Sequence, residues 1–174
     1  MAKAKFKQDN PQDELQNLLK RGTQLLQRGQ AQEAAAVLEK AQSLDTTNPD
    51  VALNLSGAYI LTKKFAKAVE ILESLSGQEP NNAMVWTNLG AAYLGNPILA
   101  RDEEHKKAIT AFEKAFAINP ATPNIAYNLG LIYRDRKEYD MAIAWFKRAI
   151  QANPNDQDAK NIIARLEAKL EEEE

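Results

Sequence analysis

The most constraining feature of this 174-residue chain is that it repeats itself. Gly22, Ser56, Gly90 and Gly130 are separated by 34, 34 and 40 positions, and Ala34, Ala68, Ala108 and Ala142 by 34, 40 and 34. Leu25, Tyr59, Tyr93 and Tyr133 are separated by 34, 34 and 40, and Pro80, Pro120 and Pro154 by 40 and 34. Four columns sharing one period, with a single six-residue excess, describe a chain assembled from copies of one supersecondary unit. Such a unit cannot bury its own apolar face; its neighbours complete the burial, and about three or more copies are needed for stability.

Each column has a physical reason. Small residues at the Gly22 and Ala34 columns let two helices approach where a larger side chain would collide. Tyr59, Tyr93 and Tyr133, with Leu72, Phe112 and Phe146, fill the space between helices and towards the next unit. Pro80, Pro120 and Pro154 fall just past helix ends, where a fixed φ and a missing N–H stop the helix. Asn81-Asn82 and Asn155-Asp156 beside them are turn and capping residues. At the start, Asn10-Pro11 or Asp13 can cap the first helix.

The segment Trp86-x-x-Leu89-Gly90-x-x-Tyr93, then Ala108-x-x-x-Phe112, then Pro120, resembles the tetratricopeptide-repeat (TPR) signature apart from one longer gap. Leu129-Gly130-x-x-Tyr133, Ala142-x-x-x-Phe146 and Pro154 repeat it, as do Leu55-Ser56-x-x-Tyr59, Ala68-x-x-x-Leu72 and Pro80. The first copy is degenerate, with Thr46 at the proline column and Pro49 three residues later. The resemblance implies an all-α fold, a right-handed α-α superhelical solenoid of four TPR helix pairs plus a C-terminal capping helix. The expected division is a flexible segment 1–14, repeats at 15–48, 49–82, 83–122 and 123–156, a capping helix 157–170 and an acidic tail 171–174 that should fray. On the last helix Ile162, Ile163, Leu166 and Leu170 share one side, leaving Asp158, Lys160, Arg165, Glu167 and Lys169 to water.

The six extra residues lie between Tyr93 and Ala108, within 95–105 of the third repeat. Gly95-Asn96-Pro97 stops one helix, and Asn96 or Pro97 can open the next one early. The expectation is a longer second helix with extra solvated turns; a protrusion on the binding face is the alternative. His105, the only histidine, stands between Glu104 and Lys106 and is expected at the surface.

Composition narrows the function. The net charge of −2 lacks the excess of Lys and Arg that phosphate binding requires, so no nucleic-acid partner is expected. With no cysteine and one histidine, neither a thiolate nucleophile nor a transition-metal site is expected, and no cofactor is implied. No glycine-rich phosphate loop and no nucleophile–base pair is visible, so the chain is not expected to be an enzyme. No signal segment and no run of roughly 18 apolar residues is visible, so a soluble, cytoplasmic protein without membrane insertion is expected.

In the family that the chain resembles, the first helix of each repeat lines a concave groove. Carried over, this implies a peptide-binding surface of Leu53, Asn54, Ile60 and Leu61 from repeat two, with Gly57 beside them. Repeat three adds Met84, Thr87, Asn88, Ala91 and Leu94; repeat four adds Asn124, Tyr127, Asn128, Leu131 and Arg134, with Asp135; repeat one adds Leu19, Thr23 and Leu26. Its apolar members suit an amphipathic helix or an extended apolar peptide, although some can pack between helices instead. Asn54, Asn88 and Asn128 share one column, and a carboxamide can hold a peptide backbone by donating and accepting.

Most of the Lys-Asn-Arg clamp by which some relatives grip the C-terminal carboxylates of chaperones is missing, only its middle Asn (Asn54 or Asn88) being kept, so a chaperone-tail clamp is not expected. Its basic positions fall here on Leu19 or Leu53, and on Thr87 with Ala91 or Tyr127 with Leu131. The expected function is a protein–protein interaction module: an adaptor, scaffold or assembly factor. The alternative is a self-associating scaffold, for which Lys3, Lys5 and Lys7 at one end and Glu171–Glu174 at the other offer head-to-tail attraction.

Overall fold

A computed structural model describes residues 10–95, 101–122 and 124–173. Among them the secondary structure is entirely helical: α1 (Pro11–Gln27), α2 (Ala31–Leu44), α3 (Pro49–Leu61), α4 (Phe65–Gln78), α5 (Ala83–Leu94), α6 (Asp102–Ile118), α7 (Ile125–Asp135), α8 (Tyr139–Ala152) and α9 (Gln157–Glu173). The fold class is the all-α helical repeat. The chain divides into two compact units, residues 1–75 and 76–174, with the division inside α4.

In the first unit α1 packs on α2, and both contact α3. The approach is close because Gly22 has no side chain: a Cβ there would stand 2.5 Å from Leu38 Cγ. Leu15, Ala41 and Val51 form a buried cluster with Leu18 and Leu19 against it. Tyr59 is buried, and its hydroxyl donates to Glu39 on α2 at 2.8 Å. Burial, then Glu39, pushes the Tyr59 phenol up to about 12.

In the second unit the pairs α5–α6 and α7–α8 are joined by α6–α7 contacts, and α9 packs on α8. Gly90 and Gly130 repeat the device of Gly22: a Cβ at either would meet the ring of Phe112 or Phe146 at 2.9 Å. The continuous core takes Phe112 from α6, Ile125, Leu129 and Ile132 from α7, Trp145 and Phe146 from α8, and Ile163 and Leu166 from α9.

The turns follow from their sequences. Asn10, Asn48 and Asn82 cap α1, α3 and α5 by accepting from the backbone N–H of Gln12, Val51 and Met84. Asp156 does the same for Ala159 at the start of α9. Pro80, Pro120 and Pro154 each lie within two residues of a helix end, at Gln78, Ile118 and Ala152. Gly29, Lys63 and Lys137 adopt positive φ (74°, 59° and 62°) in the three-residue turns between paired helices. The residue after each donates back into the preceding helix: Gln30 to Leu25, Lys64 to Tyr59 and Glu138 to Tyr133.

Several expectations need correction. Of the two starts open to α1 the structure takes Asn10-Pro11, so the helix begins inside the segment 1–14 expected to be flexible; the Asn10 cap, a proline in the first turn and the acidic Asp13 and Glu14 all favour that start. α9 runs to Glu173, so the helix takes in most of the glutamate run set apart as an acidic tail. In the third repeat the expected helix start at Asn96 or Pro97 lies outside the described residues. α6 begins at Asp102, three residues ahead of the register of α4 and α8, after Arg101 N donates to Glu104. His105 is not a surface residue: it is 7% exposed, and its Nε2 is buried without a partner among the described residues. It occupies the column of Phe65 and Tyr139, so the repeat register, not its charged neighbours, decides where it points.

Candidate functional site

None of the candidate groove residues is buried, and the reason is helical periodicity. On α5, Met84, Thr87, Asn88, Ala91 and Leu94 follow three- and four-residue spacing and keep access to solvent. Val85, Leu89 and Ala92 on the opposite side are buried. On α7 the same division sets Tyr127, Asn128, Leu131 and Arg134 against the buried Ile125, Leu129 and Ile132. On α3 of the first unit, Leu53, Asn54, Gly57 and Ile60 are half-buried and Leu61 is 62% exposed, whereas Val51, Leu55 and Ala58 are buried. Leu19, Thr23 and Leu26 of α1 are half-buried.

The residues differ in what they have free. Asn54 Nδ2 donates to Asp50 O at 2.8 Å, and its Oδ1 accepts from Thr23 at 3.4 Å, so this carboxamide is already engaged. Asn88 and Asn128 make no side-chain hydrogen bond among the described residues. Thr87 donates to Ala83 O of its own helix at 2.8 Å. Ala91, Leu94, Tyr127 and Leu131 pack against the core of the second unit, so these four serve both packing and surface. Arg134 is closed onto Asp135 by hydrogen bonds of 2.9 and 2.7 Å. Asn124 is not within a helix: it is the N-cap of α7, left-handed at φ 68°, with an exposed side chain that caps nothing.

Two hollows adjoin this face. One, of about 780 Å³, includes Asn82, Met84, Ile118, Asn119 and Thr122 in its wall. The other, of about 250 Å³, includes Thr122, Asn124, Tyr127, Asn153 and Asp156. Burial raises the Tyr127 phenol above its ordinary value, with Asp158 and Asp156 adding to it and Arg134 opposing. Thr122, Asn153 and Asp156 lie in turns, and reading only the middle of each first helix overlooks them. The same reading leaves out α9, although one more 34-residue step from Asn128 reaches Ile162 and shows that α9 continues the series of first helices.

Among the described residues no group of three or more His, Cys, Asp or Glu could hold a metal, and no helix is long and apolar enough to cross a membrane.

Two family models described as tetratricopeptide repeat match residues 25–92 and 123–156. No curated protein matches the sequence. Among solved structures, TTC0263, a thermophilic TPR protein of Thermus thermophilus, is similar with a TM-score of 0.75 at 22% identity, over 90% of this chain and 82% of that one. A crystal structure of MamA is similar with a TM-score of 0.71 at 27% identity, over 85% and 84% of the two chains. MamA from Desulfovibrio magneticus RS-1 gives 0.70 at 22% identity, over 86% and 79%. The fold common to these matches is that of protein–protein interaction scaffolds. This chain belongs to the tetratricopeptide-repeat family.

Proposed function

We propose that the chain is an adaptor or assembly scaffold that holds a peptide or amphipathic helix along the exposed face of its first helices. The observation that carries this reading is the state of Asn88 and Asn128. Both stand on that face with carboxamides that bond to nothing among the described residues, beside accessible apolar side chains such as Met84, Leu94 and Leu131. Free donor–acceptor pairs next to apolar surface suit a ligand that offers both backbone and apolar side chains. A cytoplasmic, non-enzymatic role belongs to the same proposal.

The test is capture of partners from native extract by the immobilised chain, beside a variant carrying Asn88→Ala and Asn128→Ala. Neither carboxamide supports the fold, so the variant should keep its helical content and melting temperature. Partners retained by the native chain and lost by the variant support the proposal. Partners retained equally by both overturn it.

A further inference from the structure

The turn before α7 and the turn before α9 enclose the hollow of about 250 Å³. That is smaller than the roughly 300–1,000 Å³ of sites that take a free small molecule, and suits one long side chain of a larger partner. Thr122 lines it while only 8% exposed, and its hydroxyl has no hydrogen-bond partner among the described residues. That hydroxyl is uncommitted, so a group entering the hollow can bond to it.

The charge around the hollow is negative. Asp156 lines it with one oxygen engaged by Ala159 N at 2.9 Å, leaving the other free to accept. Asp158, two residues on, is exposed and, with Asp156, acts on the Tyr127 phenol. The Tyr127 ring is held edge-on against Phe146, centroids 5.4 Å apart, so its hydroxyl is fixed in place. Among the described residues no Lys or Arg lines the hollow, and the cation that does act on Tyr127, Arg134, is spent on Asp135. The N-termini of α7 and α9 contribute about half a positive charge each, which two whole carboxylate charges exceed.

We propose, resting on the interaction surface of the preceding section, that this pocket receives a cationic side chain of the bound polypeptide. Asp156 accepts from its head group, the hydroxyls of Thr122 and Tyr127 accept further N–H donors, and Asn124 stands at the rim with an unused carboxamide. Arginine fits better than lysine, because a planar fork of five donors can reach several separated acceptors at once.

The test is a ¹H–¹⁵N NMR titration of the full chain with N-acetyl-arginine methylamide and with its uncharged isostere, N-acetyl-citrulline methylamide. The arginine probe should shift the amides of Thr122, Asn124, Tyr127 and Asp156, and the citrulline probe should not. Binding should weaken as salt is added. It should fall at least about tenfold in a variant carrying Asp156→Asn and Asp158→Asn, in which asparagine still caps α9. Equal shifts with both probes, shifts confined to other amides, or no shift up to the solubility of the arginine probe would overturn the proposal. Captured partners separate it from the broader reading: a partner kept by the double Asn variant but lost on removal of the Asn88 and Asn128 carboxamides leaves the interaction surface standing and sinks the cationic pocket.

Discussion

Single residues in this chain carry definite physical costs. At Gly130 an added methyl group would run into the Phe146 ring at 2.9 Å, whereas nothing lies within 4 Å of the same position at Gly77. Gly130→Ala is therefore expected to destabilise by about 1–3 kcal/mol, and Gly77→Ala to stabilise by up to about 1 kcal/mol, in urea unfolding. His105→Phe replaces a buried imidazole whose Nε2 has no partner with the residue type found at Phe65 in the same column. It is expected to raise stability by roughly 1 kcal/mol in the same assay, and a loss of that size would show that the imidazole has a role in the fold. The Tyr59 phenol titrates near 12 when folded, against the ordinary 10. The stability it lends is full below pH 10 and is lost between 10 and 12, since the unfolded chain ionises first. Tyr59→Phe should make the alkaline limb of a stability–pH profile less steep. The glycine columns were readable from the sequence because sterics at a helix crossing depend on one small residue. The burial of His105 was not, because Glu104 and Lys106 suggest a solvated face that the 34-residue register overrules.

At the scale of elements, periodicity and punctuation placed the helices, and the errors are at their ends. α1 reaches back to the Asn10-Pro11 cap and α9 continues into the glutamate run because the cost of a helix lies in its nucleus, and further residues join at little expense. The six-residue excess of the third repeat is partly helix: α6 has 17 residues where α4 and α8 have 14. Its added turn is tied down by Asp102, which accepts from Arg136 at 3.4 Å, while Arg136 also donates to Glu138 at 2.6 Å. The turns between paired helices hold lysine in a conformation that suits glycine, at Lys63 and Lys137. Lys137→Gly should relieve about 1 kcal/mol of backbone strain, seen as a higher unfolding midpoint, provided that the Glu138-to-Tyr133 bond survives.

For the whole molecule, repeat architecture makes stability a sum of local terms, and the terminal helix is where the sum is most easily cut. A chain ending after Asp156 loses Ile163 and Leu166 from the core of the second unit. It should be destabilised by at least about 3 kcal/mol and bind hydrophobic dyes more strongly than the intact chain. Self-association is judged by light scattering: a mass that rises with concentration would favour assembly of copies over capture of a separate partner. The family and its helices were legible because a fixed period leaves one architecture to choose. The candidate surface was legible as a face, through the same period, but not as chemistry. Nothing in the spacing tells that Asn54 is occupied and Asn88 free, or that Thr122 and Asp156 meet at one hollow, since those facts depend on how turns fold back on neighbouring helices.

Both tryptophans, Trp86 and Trp145, stand in the second unit, one half-exposed beside Lys114 and the other buried beside Arg148. Intrinsic fluorescence is therefore a local instrument in this protein: both indoles report on their surroundings within residues 76–174, and the first unit carries no indole of its own. A melt read by emission and the same melt read by far-ultraviolet circular dichroism will superimpose only if the two halves of the chain lose their structure together.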